Sequence, residues 1–301
     1  MNRFRHTFFA AALASVVFAA GSADARDYSS VTIKATKLAD GIHMLTGAGG
    51  NIGLSSGADG AFMIDDQFAP LTAKILSAVK QITPQPVKFV LNTHWHFDHT
   101  GGNENLGKQG TVIVAHDNVR ELMSADQMLK AFKKKVPAAP KAALPTITFN
   151  DSTTFHMNSQ TLKIQHLPSA HTSGDSFVHF VEADVIHTGD IFFNGFYPFI
   201  DVQHGGSITG VINAVDVMLK TGGANSTIIP GHGPVADKAA LRDYRDMLIG
   251  VRKAVQALVD ADKSRAEAVA AGPTAAFDEK WGKGFLKPAA FAGFVYDSLK
   301  N

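Results

Sequence analysis

Apolar residues along this chain recur in two rhythms. Short β-branched and aromatic runs, cut by Gly, Asn or Pro, predict strands at 42–46, 51–54, 61–65, 87–91 and 111–115. A second series at 147–149, 153–155, 161–166, 177–182, 184–188 and 227–229 predicts the strands of another sheet. Helical spacing begins at Pro70, where Leu71, Ile75, Leu76 and Val79 share a face and Pro84 and Pro86 close the element. Further helices are predicted at 117–123, at 207–220 with Gly222 and Gly223 as terminators, at 236–271 and at 277–299. Residues 126–145 are rich in lysine and proline and predict a helix followed by a mobile surface loop. The β-helix-β rhythm appears in both halves. Two sheets that each carry outer helices imply an α/β (α+β) fold, a four-layer αββα sandwich with its sheets face to face.

The first 25 residues stand apart from this pattern. Arg3, Arg5 and His6 precede an unbroken apolar run, and Ala23-Asp24-Ala25 supplies a small-residue cleavage site. This reads as a secretory signal peptide cut before Arg26, with an uncleaved N-terminal anchor as the alternative. The apolar run is short for a membrane span. The rest of the chain, roughly 275 residues, suffices for one large domain or two small ones. We expect one domain over 26–235 and a helical extension over 236–301 packed on it. A periplasmic or secreted protein follows, free of the membrane after cleavage.

The chain has no cysteine, which rules out a lipid-modified cysteine at the cleavage site and leaves nitrogen and oxygen as metal donors. A formal charge of +1 and the absence of a long basic run argue against nucleic acid as a partner. A small-molecule substrate remains. Oligomeric state is not legible.

Chemistry concentrates after the strand at 87–91. His94, His96, Asp98 and His99 fall within six positions and are followed by Gly101 and Gly102. On an extended chain His94 and His96 point to one side and suit a single ion, and Asp98 and His99 lie past the turn, free to face a second. Four other strand ends deliver a ligand-type residue into a turn: Asp65, His171, Asp190 and His232. The recurrence of that arrangement carries more than any one residue. His187 and His204 are further histidines near the site in sequence.

These residues resemble the metallo-β-lactamase superfamily of metallohydrolases. The H-x-H-x-D-H signature stands complete as His94, His96, Asp98 and His99, followed by His171, Asp190 and His232. The resemblance implies one zinc on His94, His96 and His171, and a second on Asp98, His99 and His232. It implies Asp190 as the bridge between them and Asp65 as the carboxylate orienting the signature loop. Two Zn(2+) per chain follow, with iron or manganese compatible with the same donors. The implied reaction is hydrolysis of an ester, lactone, thioester or amide/β-lactam carbonyl by metal-activated water, with Asp98 as the catalytic residue that orients it. Alternatives on the same fold are a mononuclear iron enzyme of persulfide or thioester chemistry, and a non-catalytic metal-binding protein.

An aspartate at position 190 departs from the best-known β-lactamases, which carry cysteine there and a lysine three residues later. Here that later position is Phe193. Bridging aspartates resemble the glyoxalase II and lactonase branches, although Phe193 also replaces the lactonase tyrosine. The loop 191–200 is aromatic and uncharged. It predicts an apolar wall, with Phe193, Asn194 and Tyr197 as substrate contacts.

Overall fold

The computed structural model describes residues 27–300; the leader expected at 1–25 lies outside them. Residues from 31 onward form one unit. Its first sheet contains β1 (Lys34–Ala39), β2 (Ile42–Thr46), β3 (Ile52–Gly57), β4 (Gly60–Ile64), β5 (Val87–Asn92) and β6 (Val112–His116). Helices α1 (Thr72–Ile82), α2 (Phe97–Thr100), α3 (Asn103–Lys108) and α4 (Asp117–Met123) connect or follow these strands. Next come the short strands β7 (Gln127–Leu129), β8 (Lys134–Val136) and β9 (Ile147–Phe149). The second sheet is β10 (Ser152–Met157), β11 (Gln160–His166), β12 (Ser176–Phe180), β13 (Val185–His187) and β14 (Thr227–Ile229). Helices α5 (Ile208–Lys220), α6 (Lys238–Asp260), α7 (Arg265–Ala270), α8 (Asp278–Trp281) and α9 (Pro288–Lys300) complete the chain.

The first sheet runs in the order β1-β2-β3-β4-β5-β6-β9, antiparallel to β4 and parallel from there to the far edge. The second is antiparallel from β10 to β13, and β14 joins parallel. Ile42, Phe62, Ile64, Leu91 and Val114 of the first sheet share one core with Leu162, Ile164, Val178, Phe180 and Ile229 of the second. Two apolar faces pressed together in this way are the sandwich that the alternating strands imply. A second core joins β13 and β14 to α5, α6 and α9 through Ile186, Ile228, Val215, Leu248, Phe291 and Val295, with Phe192, Tyr197 and Tyr244 packed among them. The C-terminal helices therefore pack on the same body as the strands that lead to Asp190 and His232.

Three expectations are corrected. β9 pairs in parallel with β6 and edges the first sheet, not the second. Residues 126–145 form no α-helix: β7 and β8 make an antiparallel hairpin whose turn uses Lys133 at φ 50°. A one-turn 3-10 element at Lys141–Ala143 follows. The helix expected over 236–271 is interrupted at 261–264, where Ser264 opens α7 with a capping box to Glu267.

Candidate metal centre

Every candidate ligand sits just beyond a strand. β4 ends into Asp65, β5 into 93–99, β11 into the turn before His171, β13 into Asp190 and β14 into His232. The two sheets bring these ends to one edge of the sandwich. The result is two groups: His94, His96, His171 and Asp190 in one, Asp98, His99 and His232 in the other. Within each group the ligand atoms lie within 4.8 Å of one another. His94 and His96 do not lie on the strand itself: pairing stops at Asn92, a bend carries His94, and His96 is the extended residue that opens α2.

Close approach explains two of the glycines around the site. A side chain at Gly50 would place its Cβ 2.1 Å from the His99 ring. One at Gly231 would meet Asp190 Oδ1 at 2.1 Å. Backbone lies directly against both ligand-type side chains, and only glycine permits it.

The outer ring nitrogens are each held by an acceptor. Thr93 donates its N–H and its hydroxyl to Asp65 at 2.8 Å each, so the Thr93 oxygen accepts from His94 Nδ1 at 3.0 Å. His99 Nδ1 donates to Asp65 Oδ2 at 2.8 Å. His171 Nδ1 donates to the Phe199 carbonyl at 2.8 Å, and His96 Nε2 to Asp201 Oδ2 at 3.0 Å. An imidazole whose proton is committed outward presents a bare lone pair inward. The inner atoms are then His94 Nε2, His96 Nδ1, His99 Nε2 and His171 Nε2. His96 Nδ1 and His171 Nε2 stand only 2.9 Å apart. Two lone pairs at that distance repel unless a cation lies beside both.

Asp190 faces both groups. Its Oδ2 is 3.7 Å from His94 Nε2 and 3.6 Å from His171 Nε2, and its Oδ1 is 3.0 Å from His99 Nε2 and 3.4 Å from His232 Nε2. His94 Nε2 is buried without a hydrogen-bond partner. An orphaned acceptor of this kind is costly in a folded core, and a cation satisfies it. The residues fit a metal.

Electrostatics divides the two groups. Burial, then the neighbouring His99, holds His94 well below the usual imidazole range. Burial and His96 push His171 down to about 4 despite Asp190. His232 behaves oppositely: burial alone would depress it, but Asp190 and Asp98 outweigh that and raise it to about 9. Burial likewise opposes the charge on His99, and Asp190, Asp65 and Asp98 lift it well above the ordinary value. Asp190 itself would rise on burial, yet His99, His232 and His94 hold it well below the carboxylate range. Without metal, protons on His99 and His232 neutralise the carboxylates.

Of the residues expected to touch substrate, Tyr197 is corrected. It is fully buried, stacks on Phe291 at 4.6 Å and donates its hydroxyl to Asp278 Oδ1 at 2.8 Å. The aromatic run 196–200 turns inward there because α9 offers it a core. Tyr197→Phe is expected to cost about 1–2 kcal/mol in denaturant unfolding and to leave metal content and KM unchanged. Asn194 donates its side-chain amide to the Pro234 carbonyl and its N–H to the His232 carbonyl, bracing the His232 turn. Phe193 is buried and stacks on His232 with centroids 5.2 Å apart. His187 uses both nitrogens, Nε2 towards the Asn51 carbonyl and Nδ1 from the Gly189 N–H, and so fixes the turn into Asp190. His204 is buried, with Nδ1 on Asp201 Oδ2 at 2.7 Å.

Asp201 is the residue sequence reasoning missed. It follows an aromatic loop rather than a strand. The available signal was an acid three residues before His204, closing an uncharged run. His96 and His204 pull its carboxyl below the ordinary range although burial opposes them. Asp201→Ala is expected to weaken metal binding at the three-histidine group ~10–100-fold and to spare the other, as read by competition with a chromophoric chelator.

Comparison with known proteins agrees with this geometry. A profile of the metallo-beta-lactamase superfamily matches residues 45–235, more than half of the chain. A hydroxyacylglutathione hydrolase from Pelagibacter ubique (strain HTCC1062) is 29% identical over 109 residues. That match spans 36% of this chain and only 37% of the relative's length. A metallo-beta-lactamase from Pontibacter korlensis superposes with a TM-score of 0.59 at 21% identity, covering 72% of this chain and 99% of that one. The stereoselective inverting sec-alkylsulfatase Pisa1 from Pseudomonas sp. gives 0.63 at 17% identity, over 88% of this chain and 50% of that one. The likeness to these two structures establishes the fold, and the family match establishes descent: this chain, with its paired His/Asp clusters, belongs to the metallo-beta-lactamase superfamily of metal-dependent hydrolases.

Proposed function

We propose that the protein is an exported hydrolase using two zinc ions against an ester, lactone, thioester or amide/β-lactam carbonyl of a small molecule. The observation that carries this is Asp190, buried between two groups of inward lone pairs with one oxygen towards each. His94, His96 and His171 would hold one ion, Asp98, His99 and His232 the other, and Asp190 both. Bound zinc supplies a Lewis acid for the carbonyl oxygen and water of lowered pKa.

The chain's own residues then divide the work. Asp65 and Asp201 keep His99 and His96 in the tautomer that presents a lone pair. Asp98 Oδ2 lies 3.3 Å from His232 Nε2, and these two side chains are 23% and 20% exposed, against 1% for His94. Substrate therefore reaches the site on the Asp98–His232 side. There Asp98 can orient the attacking water and take up its proton. Among the described residues no helix is long and apolar enough to cross a membrane, and export rests on the leader sequence.

Purified protein is expected to contain about two zinc per chain and to hydrolyse at least one member of a panel of thioesters, lactones, β-lactams, alkyl sulfates and phosphodiesters. His96→Ala should lose metal and activity together. A single iron with no hydrolysis would replace this reading by sulfur chemistry. Zinc affinity should also depend on pH. Below pH 9 the metal-free His232 carries a proton that zinc must displace, so affinity rises with pH, about tenfold per unit for each proton released. Calorimetry between pH 6 and 8 in buffers of different ionisation enthalpy measures that release.

A further inference from the structure

One lysine of the β7–β8 hairpin stands on its inner face. Gln127 pairs with Val136, Met128 with Lys135 and Leu129 with Lys134. Side chains alternate between the faces of such a ribbon, so Gln127, Leu129, Lys134 and Val136 share one face, and Met128 and Lys135 the other. Burial agrees. Leu129 is buried, Lys134 and Val136 are half-buried, and Met128 and Lys135 are exposed. Leu129 and Val136 pack with Trp95 and Phe97. Lys134, on the same face, sets its ammonium 3.5 Å from the centre of the Phe97 ring.

Phe97 puts that ammonium beside the metal centre. It lies between His96 and Asp98 in the chain, and of residues 91–100 only Phe97 and Asp98 are not buried. These two form the open lip of the signature loop. The hairpin is also held on the other flank of His96: Phe132 meets Phe199 edge-on at 4.9 Å, and Phe199 lies 5.8 Å from the His96 ring. At its base the Ala138 and Ala139 N–H groups donate to Asp126 Oδ1 and the Met123 carbonyl at 2.8 Å each. Lys134 is fixed in place, yet its charge is unanswered. Among the described residues it forms no ion pair, and the segment 127–141 holds five lysines and no acid. An aromatic face holds an ammonium more weakly than an anionic hydrogen-bond partner does.

We infer that the substrate carries a carboxylate, which Lys134 binds while the reacting carbonyl lies at Asp98 and His232. The loop 191–200 on the opposite wall has no charged side chain to serve instead. The inference rests on the hydrolase reading for the reacting carbonyl only. Charge recognition is a property of Lys134 and can be measured without turnover.

The test titrates the zinc-loaded full chain calorimetrically with 3-mercaptopropionate and 6-mercaptohexanoate, and with the neutral amide of each. Sulfur is a zinc donor, so all four probes anchor at the centre and differ within each pair only in charge at the far end. At one length at least, the acid is expected to bind ~10-fold more tightly than its amide, the order of a hydrogen bond between charged groups. That preference should shrink as salt is raised. Lys134→Met and Lys134→Gln should abolish it, and Lys134→Arg should keep it. Lys135→Met, on the outer face of the same hairpin, should leave it unchanged. Acid and amide bound within about twofold at both lengths, the scale of a solvated surface pair, overturns the inference. So does a preference that survives in both Lys134→Met and Lys134→Gln. A preference lost in those variants, with no hydrolysis of any carboxylate-bearing ester or thioester, would remove the hydrolase reading alone. Hydrolysis of neutral and anionic esters at equal kcat/KM, with equal binding, would remove the charge recognition alone.

Discussion

On the two-zinc reading proposed above, Asp190→Asn is expected to leave a protein that binds close to one zinc in place of two. The carboxylate is shared, but unequally. Its Oδ1 approaches His99 and His232 at 3.0 and 3.4 Å, and its Oδ2 stands 3.6–3.7 Å from His171 and His94. Without Asp190 the first group keeps three imidazoles, a donor set sufficient for zinc with solvent as the fourth ligand. The second keeps two imidazoles and Asp98, on the more open side. An amide cannot offer both groups an anionic oxygen, and one of its two atoms is an N–H that repels a cation. Affinity at the Asp98–His99–His232 group should fall by at least ~100-fold, beyond the loss seen when an outer partner of a ligand is removed. Hydrolysis should fall with it. Zinc titration followed by elemental analysis after dialysis reads the outcome directly. Equal weakening at the two groups would show that Asp190 does not join them in this way.

The site was legible because the fold writes it at strand ends. An apolar run that ends in a turn bearing a histidine or aspartate recurs for Asp65, His94, His171, Asp190 and His232, and the structure collects all five ends at one edge. Sequence spacing fails where tertiary contacts choose the partner. Asp201 has no strand before it and is revealed only by the His96 ring that reaches it. Tyr197 sits in a run that looked like a wall of the site, yet Phe291, more than ninety residues later, supplies the core it enters. β9 is three residues long, too short for its pattern to name a sheet, and it pairs with β6 across an intervening hairpin. That hairpin was hidden by its own lysines and by the prolines that follow it. It forms because Lys133 takes the left-handed turn and three residue pairs close behind it.

Asp65 tests a different part of the construction, the link between the metal centre and folding itself. Its side chain is fully buried and accepts from Thr93 N–H, Thr93 Oγ1 and His99 Nδ1, each at 2.8 Å. Asp65→Ala leaves three donors in a dry core with no acceptor. Each such orphan costs about 1–3 kcal/mol, and removal of one partner from a buried charged pair about 3–5 kcal/mol. A loss of about 3–5 kcal/mol in chemical denaturation is therefore expected, a large share of the roughly 5–15 kcal/mol that folded domains possess. Asp65→Asn should cost less, because one oxygen still accepts from the Thr93 N–H. Zinc cannot restore the difference. Its stabilisation depends on affinity for the folded state, and affinity at His99 has itself fallen once the ring is no longer held. The increase in melting temperature on adding zinc should therefore be smaller in Asp65→Ala than in the parent. A full zinc response, or a loss below about 1 kcal/mol, would mean that the Thr93–His99 arrangement is held by the surrounding packing and not by this carboxylate.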